Sequence, residues 1–359
     1  MFKASIIISV DNKYPLINNF FNMLLTHINK KEYEIIVVDD CCSDYQTKEY
    51  LNKLKKEDSI DVYIILDKKY GFGRANNLGV EKSTTDCLIF INTDIIITND
   101  VIEQLFTIYN SKKYAAIQPL LLYPQSEKIQ SAGHIFASYF NRHALENNSI
   151  SVIKNDQNPI IRQALTLAFC MIDRDAFEKA GKFNDFYYNG YEGIELILKI
   201  SQTHTCVVIP YIHAYHIRSV AVKNSNFDEE QKIPYFWCQC QKYIHNDFYK
   251  FIQEQIPQNA FDKNYFAIQF TTLDLLSEVR KAGIKIRDDI LLIQKVGNPI
   301  ELFSILPYSY LNTASCLLFL CDNFVQLNPN HLWIQMRKGK NDLIIDSNGN
   351  VIKLQCLKS

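Results

Sequence analysis

Apolar and polar positions along the first hundred residues fall into alternating blocks. Short runs at 5–10, 34–39, 62–66 and 87–91 are almost wholly apolar, and longer amphipathic segments at 16–28, 45–54 and 73–82 separate them. This alternation predicts parallel strands joined by helices. Strands without an apolar/polar alternation must be covered on both faces, so the expected class is α/β, a Rossmann-like, mostly parallel sheet flanked by helices. Ligands of such open sheets sit beyond the carboxyl ends of the strands. Polar residues stand at those ends here: Asp11 and Asn12, Asp39 and Asp40, and Asn92, Thr93 and Asp94.

A second tract, 163–218, reads as a strand at 164–172, a short helix at 173–180, a turn at Gly181, a helix at 191–202 and a strand at 206–209. His216 then lies beyond a strand that ends at Pro210. The intervening 123–159 is rich in Asn, Ser and Gln and is expected to carry loops near the site. After Ser225 the pattern changes. Ile233, Phe236, Trp237, Cys240, Tyr243, Ile244, Phe248, Phe251 and Ile252 recur at helical spacing, predicting one long amphipathic helix whose aromatic stripe serves first as core packing. Two apolar runs, 343–345 and 351–352, flank a Ser-Asn-Gly-Asn turn and predict a terminal β-hairpin. The expected organisation is therefore a catalytic domain over 1–225 and a mainly helical extension over 226–359.

Composition narrows the function classes. The chain has 359 residues, 47% of them hydrophobic, enough to bury a substantial core. A formal net charge of -1 offers no clustered excess of Lys and Arg for a phosphate backbone, so nucleic acid is not an expected partner. The ten cysteines follow neither a disulfide framework nor paired zinc-knuckle spacing, which suits buried thiols in a reducing cytoplasm. No signal peptide is expected from the N-terminal residues, and no run reaches the roughly 20 apolar residues of a membrane span. The expected location is cytoplasmic, with any membrane contact peripheral and at the inner face. Core support, homo-oligomerisation and contact with a lipid-linked acceptor are the uses open to the C-terminal region, in that order.

Several residue groups can carry chemistry. Asp39 and Asp40 follow an apolar strand and can accept hydrogen bonds from a base or a ribose; capping of the next helix is the alternative. Asp94 can place a carboxylate on Mg²⁺ or Mn²⁺, although Asn-Thr-Asp is also ordinary turn chemistry. His216 can supply an imidazole to the same cation or simply pack. Glu192 and Glu195 share one face of a predicted helix, where either can act as a general base, while Glu195 can instead pair with Lys199 one turn on in an exposed contact. Gly71 to Asn77 open a helix and offer backbone N–H groups and Arg74 to an anion.

The order of these groups resembles glycosyltransferase family 2, with its GT-A fold, over about 5–219. The stretch Ser5-Ile6-Ile7-Ile8-Ser9-Val10-Asp11-Asn12 resembles the family's opening strand, and Val37-Val38-Asp39-Asp40-Cys41-Cys42-Ser43-Asp44 its VVD(D/N)xSxD motif. Gly71-Phe72-Gly73-Arg74-Ala75-Asn76-Asn77-Leu78-Gly79 resembles its GFxxAxNxG signature, and Asn92-Thr93-Asp94 stands at the DXD position. Gly181-Lys182-Phe183-Asn184-Asp185-Phe186 and Tyr191-Glu192-Gly193-Ile194-Glu195-Leu196 resemble the GGFDExF and YEDxDL pair of the acceptor side.

The resemblance implies a donor side built from Ser9, Asp11, Asp39, Asp40, Gly71, Arg74, Asn77, Asn92 and Thr93. It also implies a Mg²⁺ or Mn²⁺ cofactor held by Asp94 and His216; with glycine at 193, the base is expected at Glu192 first, Glu195 second, or at another group. An inverting transfer follows, from a UDP- or dTDP-sugar to a glycan or lipid-linked saccharide, in bacterial surface polysaccharide synthesis. Two departures stand out: Asn92 replaces the first Asp of DXD, and Gly193 replaces the family's base-forming Asp. A non-catalytic glycan-binding relative is the rival that Gly193 suggests. A nucleotidyltransferase ranks lower, because residues 11–15 lack a glycine-rich phosphate loop.

Overall fold

The computed structural model describes residues 2–11, 14–98, 100–137, 140–153, 156–217 and 226–245, and beyond them only six short strands. The chain divides into two compact units, one of residues 1–134 with 145–244 and one of residues 135–144 with 245–359.

The first unit begins with three strand–helix repeats: β1 (Ala4–Val10), α1 (Tyr14–His27), β2 (Tyr33–Asp39), α2 (Tyr45–Lys56), β3 (Val62–Ile65) and α3 (Phe72–Lys82). Then come β4 (Cys87–Ile91), β5 (Ile95–Ile97), α4 (Val101–Asn110), β6 (Ala116–Leu122) and β7 (Ile129–Ser131). The strands β8 (His134–Ala137) and β9 (Phe140–His143) pair with each other. The chain continues through β10 (Ile160–Ile161), β11 (Phe169–Asp173), α5 (Arg174–Lys179), α6 (Glu192–Ile200), β12 (Cys206–His216) and α7 (Asn226–Cys240).

One sheet organises this unit, in the order β10-β12-β6-β11-β4-β1-β2-β3, with β5 paired to β12 and β7 to β6. The β4-β1-β2-β3 half is parallel throughout, and β11 enters antiparallel between β4 and β6. Every residue of β2 and β4 is buried, as strands covered on both faces must be. Local signals agree with the helix ends: Asp44 caps α2 by accepting from the N–H groups of Gln46 and Thr47, and Asp173 caps α5 by accepting from that of Ala176. Gly79 exists for packing, because a Cβ there would lie 2.6 Å from Cγ2 of Ile7 and push α3 off β1.

Three expectations are corrected. The strand expected to stop at Pro210 runs on to His216, across an irregularity between Ile209 and His213 that absorbs the proline's missing N–H. The strand expected from residue 164 begins only at Phe169. Its expected first half spends its backbone groups elsewhere: Thr166 N–H goes to the Gln118 side chain, and the Ala168 carbonyl accepts from Asn92 N–H. The long aromatic helix ends at Cys240, where a 3-10 turn over Gln241–Tyr243 and an extended Ile244 stop it. Phe248, Phe251 and Ile252 lie outside the described residues, as does Asn12. Because Tyr191 and Phe236 rings meet at 4.9 Å and Lys232 reaches the Asn189 carbonyl, α7 belongs to the first unit, and the break falls after Ile244 rather than at 225.

In the second unit the described residues beyond 245 are strands: β13 (Ile268–Phe270), β14 (Ile293–Gln294), β15 (Cys316–Leu320), β16 (Leu332–Met336), β17 (Asn341–Ile345) and β18 (Val351–Cys356). They form a six-stranded sheet in the order β13-β15-β16-β17-β18 with β14 on β15, so the expectation of a mainly helical extension is not met by the residues described. The expected terminal hairpin is present as β17 and β18. Among the described residues no helix is long and apolar enough to cross a membrane.

Candidate active site

The first cluster forms where β1, β2 and α3 present their ends. Asp39 closes β2 fully buried, its carboxylate accepting from Cys42 N–H at 2.6 Å and from the Tyr63 hydroxyl at 3.1 Å. Burial, reinforced by Asp39, raises the Tyr63 phenol well above its ordinary range. Asp40 spans two consecutive amides of the loop before α3, accepting from Tyr70 N–H at 2.6 Å and Gly71 N–H at 2.8 Å. Only glycine fits at 71. Its φ is +84°, and a Cβ there would lie 1.8 Å from the Tyr188 carbonyl oxygen, which accepts from Phe72 N–H.

The remaining donor-side candidates join this corner to the 183–188 loop. Asn77 exchanges hydrogen bonds with the Phe183 backbone at 2.9 and 3.1 Å and donates to Asp185. Arg74 pairs with Asp185 at 3.0 Å and stacks over Tyr70 at 4.8 Å. Arg74 and Asn77 thus both bind the 183–188 loop. Asn76, which the sequence did not single out, donates to Ser9 at 3.2 Å. Asp11 is exposed and meets Lys69 at 2.7 Å.

The second cluster forms where β4 turns into β5. Asn92 N–H is held by the Ala168 carbonyl and the Asn92 carbonyl accepts from Ile95 N–H, so Asn92, Thr93 and Asp94 make a tight turn. Pairing of β5 with β12 sets Ile95 opposite His216 and carries the histidine to that turn. Asp94 is buried, its carbonyl accepts from Ile217 N–H, and its Oδ1 lies 3.3 Å from His216 Nε2. On the far side of the ring, His216 Nδ1 is 2.6 Å from Oε1 of Gln130, whose Nε2 donates to the His216 carbonyl at 3.0 Å. Nothing in the sequence marked Gln130. It is one polar residue in a polar stretch until β7 brings it in.

A carboxylate oxygen and an imidazole nitrogen facing one another is a donor set that suits a divalent cation such as Mn²⁺. Among the described residues no group of three or more His, Cys, Asp or Glu converges, so protein would supply two ligands there and the diphosphate or water the rest.

The third cluster is the start of α6. Glu195 is 2% exposed and accepts from Lys199 at 2.6 Å and from Asn184 at 3.2 Å. Asn184 also donates to the Tyr235 hydroxyl. The expected exposed i,i+4 contact is therefore part-buried, and Asn184 ties it to Tyr235 of α7. Lys199 and Asn184 thus brace the Glu195 carboxylate. Glu192 is also buried, and its Cγ lies 3.5 Å from the place of a Cβ on Gly73, against the first turn of α3. Gly193 is not an open gap. A Cβ there would be 2.8 Å from Cγ and Cδ2 of Leu167, so a leucine fills the volume that an aspartate would need.

Known proteins share parts of this chain's sequence and fold. Residues 5–181 match the family model for glycosyl transferase family 2. The low-salt glycan biosynthesis hexosyltransferase Agl10 of Haloferax volcanii is 24% identical over 257 residues, covering 68% of this chain and 73% of that protein. The poly(ribitol-phosphate) beta-N-acetylglucosaminyltransferase TarS of Staphylococcus aureus is 26% identical over 104 residues, 29% of this chain and 18% of TarS. Among solved structures, GalNAc-T7 with UDP, GalNAc and Mn²⁺ superposes with a TM-score of 0.51 at 17% identity, over 60% of this chain and 44% of that one. The crystal structure of TarS superposes with a TM-score of 0.50 at 13% identity, over 88% of this chain and half of TarS. These likenesses show a shared GT-A fold. The β1–α5 segment of this chain, residues 5–181, is thus that of glycosyl transferase family 2.

Proposed function

We propose that this protein transfers a hexosyl or deoxyhexosyl unit from a UDP- or dTDP-sugar to a hydroxyl of a glycan or lipid-linked saccharide, with inversion at C1. The proposed setting is surface polysaccharide synthesis, at the cytoplasmic face. The observation that carries the reading is the meeting of Asp94 and His216 at the β5–β12 ladder, beside the strand ends where Asp39 and Asp40 lie. Agl10 is named a hexosyltransferase of glycan synthesis, which supports the sugar and acceptor classes. GalNAc-T7 was solved with UDP and Mn²⁺, which supports that donor and cation type.

Asp94 and His216 would hold the cation, which when bound offsets the negative charge of the departing diphosphate. Asp39, at the end of β2, would face the nucleoside, and Asp40 would keep the 70–71 loop in the shape that admits it. Glu192 is the base in this reading: it takes the proton of the acceptor hydroxyl as that oxygen forms its bond to C1 and the bond from C1 to the diphosphate oxygen breaks. The exposed rings of Phe186 and Tyr188, on the loop before α6, suit contact with an acceptor sugar.

A panel of UDP-, dTDP- and GDP-sugars, scored for thermal stabilisation and for slow donor hydrolysis with and without Mn²⁺, tests the proposal. Binding to the folded state alone raises stability with the logarithm of ligand concentration over Kd, so one nucleotide should shift the transition. No shift with any nucleotide would sink it. A second reading, a catalytically impaired binder, is favoured by Leu167 standing where the side chain of residue 193 would be. Turnover by the native chain excludes that reading; activity that emerges only in a Gly193→Asp, Leu167→Ala double variant would support it.

A further inference from the structure

We infer that Gln130 is a positioning residue that holds His216 in the tautomer able to bind a divalent cation; this rests on the reading of Asp94 and His216 as cation ligands. The Gln130 amide meets the same histidine twice. Its Nε2 donates to the His216 carbonyl at 3.0 Å, and its Oε1 lies 2.6 Å from Nδ1. A carbonyl oxygen only accepts, so the amide has one satisfactory orientation, with Oε1 toward the ring. Oε1 only accepts as well, so Nδ1 must carry the proton. In the neutral ring Nε2 is then bare, and it is Nε2 that faces Asp94 Oδ1 at 3.3 Å. Two electron-pair donors so aimed can share a positive charge, either a proton on Nε2 or, in a loaded site, a divalent cation. Metal-bound histidines elsewhere are oriented in this way, through a hydrogen bond from the other ring nitrogen.

The sheet makes the placement rigid. On β6, Leu121 pairs with Ser131 and Leu122 with Ile129, so Gln130 is the extra residue of a bulge in β7. On its other edge, β6 pairs Leu122 with Tyr215, which sets His216 one residue further along. A bulge re-aims one side chain, and here it sends a buried glutamine to a histidine 86 residues away.

The test uses the full chain, free of metal, and Mn²⁺ alone as the probe. Free Mn²⁺ is counted by electron paramagnetic resonance, and the imidazole ¹⁵N shifts of His216, assigned by their loss in His216→Gln, report its tautomer. Gln130→Met keeps the length and removes both hydrogen bonds; Gln130→Glu keeps an acceptor toward Nδ1. The expected result is an Nδ1-protonated His216 in the native protein, lost in Gln130→Met together with about 10–100-fold of Mn²⁺ affinity. Gln130→Glu should retain the tautomer and most of the affinity. Native affinity with an unchanged His216 spectrum in Gln130→Met would overturn the assignment of Gln130. Equal Mn²⁺ binding by the native chain and Asp94→Ala would instead overturn the cation reading itself. In that case the spectra still decide whether Gln130 sets the tautomer.

Discussion

The strand-end corner around Asp39, Asp40 and Gly71 and the start of α6 around Glu192, Gly193 and Glu195 both carry buried carboxylates, but they are built differently. At the strand ends the carboxylates are held largely by backbone: Asp40 by two amides and Asp39 by one, with the Tyr63 hydroxyl beside it. At α6 the partners are side chains: Lys199 and Asn184 on Glu195, and Leu167 against Gly193. Backbone partners cannot be exchanged by substitution, whereas side-chain partners can. On α6 this chain has Gly193, with Leu167 in the space that a side chain there would need.

The largest effect is expected from Asp94→Ala. With Asp94 as a cation ligand, as proposed, transfer should fall on the order of 10³-fold through lost charge stabilisation at the leaving group, while far-UV circular dichroism stays native. Full activity in that variant would remove the strand ends from the chemistry and break the comparison. Gly71→Ala comes next. It forces a Cβ into the Tyr188 carbonyl at a positive φ, and a loss of about 3 kcal/mol in urea unfolding is expected. A smaller cost, about 2 kcal/mol, is expected for Asp40→Asn, since one of two buried amides then faces an NH₂ group.

Smallest of all should be the coupling at α6. Gly193→Asp alone should destabilise by about 1–3 kcal/mol through overpacking against Leu167. In the double variant with Leu167→Ala the two effects should fail to add, by about 1 kcal/mol in a double-mutant cycle. Strict additivity would mean that the leucine does not occupy the lost side chain's volume, and the contrast between the two regions would weaken.

Much of the donor half was legible from local pattern. The apolar runs of β1, β2 and β4 and the amphipathic spacing of α1, α2 and α3 gave their places to within a few residues, because each needs only its own periodicity. The course of β12 past Pro210 was not legible, since a proline in a run reads as an end unless a partner strand is known to continue. The alternative pairing of Glu195 with Lys199 reads as exposed because helical spacing tells which residues are neighbours and says nothing of what covers them. The pairing of Arg74 and Asn77 with Asp185 was not legible, because Asp185 lies more than a hundred residues away.

The sequence by itself determined the α/β class, the succession of strands and helices through α3, and the position of Asp39, Asp40 and Asp94 at strand ends. Those follow from periodicity and residue type, which act over a few residues at a time. Only the tertiary structure decided that Gln130, His216 and Asp94 converge, and that Leu167 stands in the place of a missing aspartate. Such meetings depend on sheet register, on a one-residue bulge and on the packing of distant segments, and a shift of one residue in a strand turns every side chain to the other face.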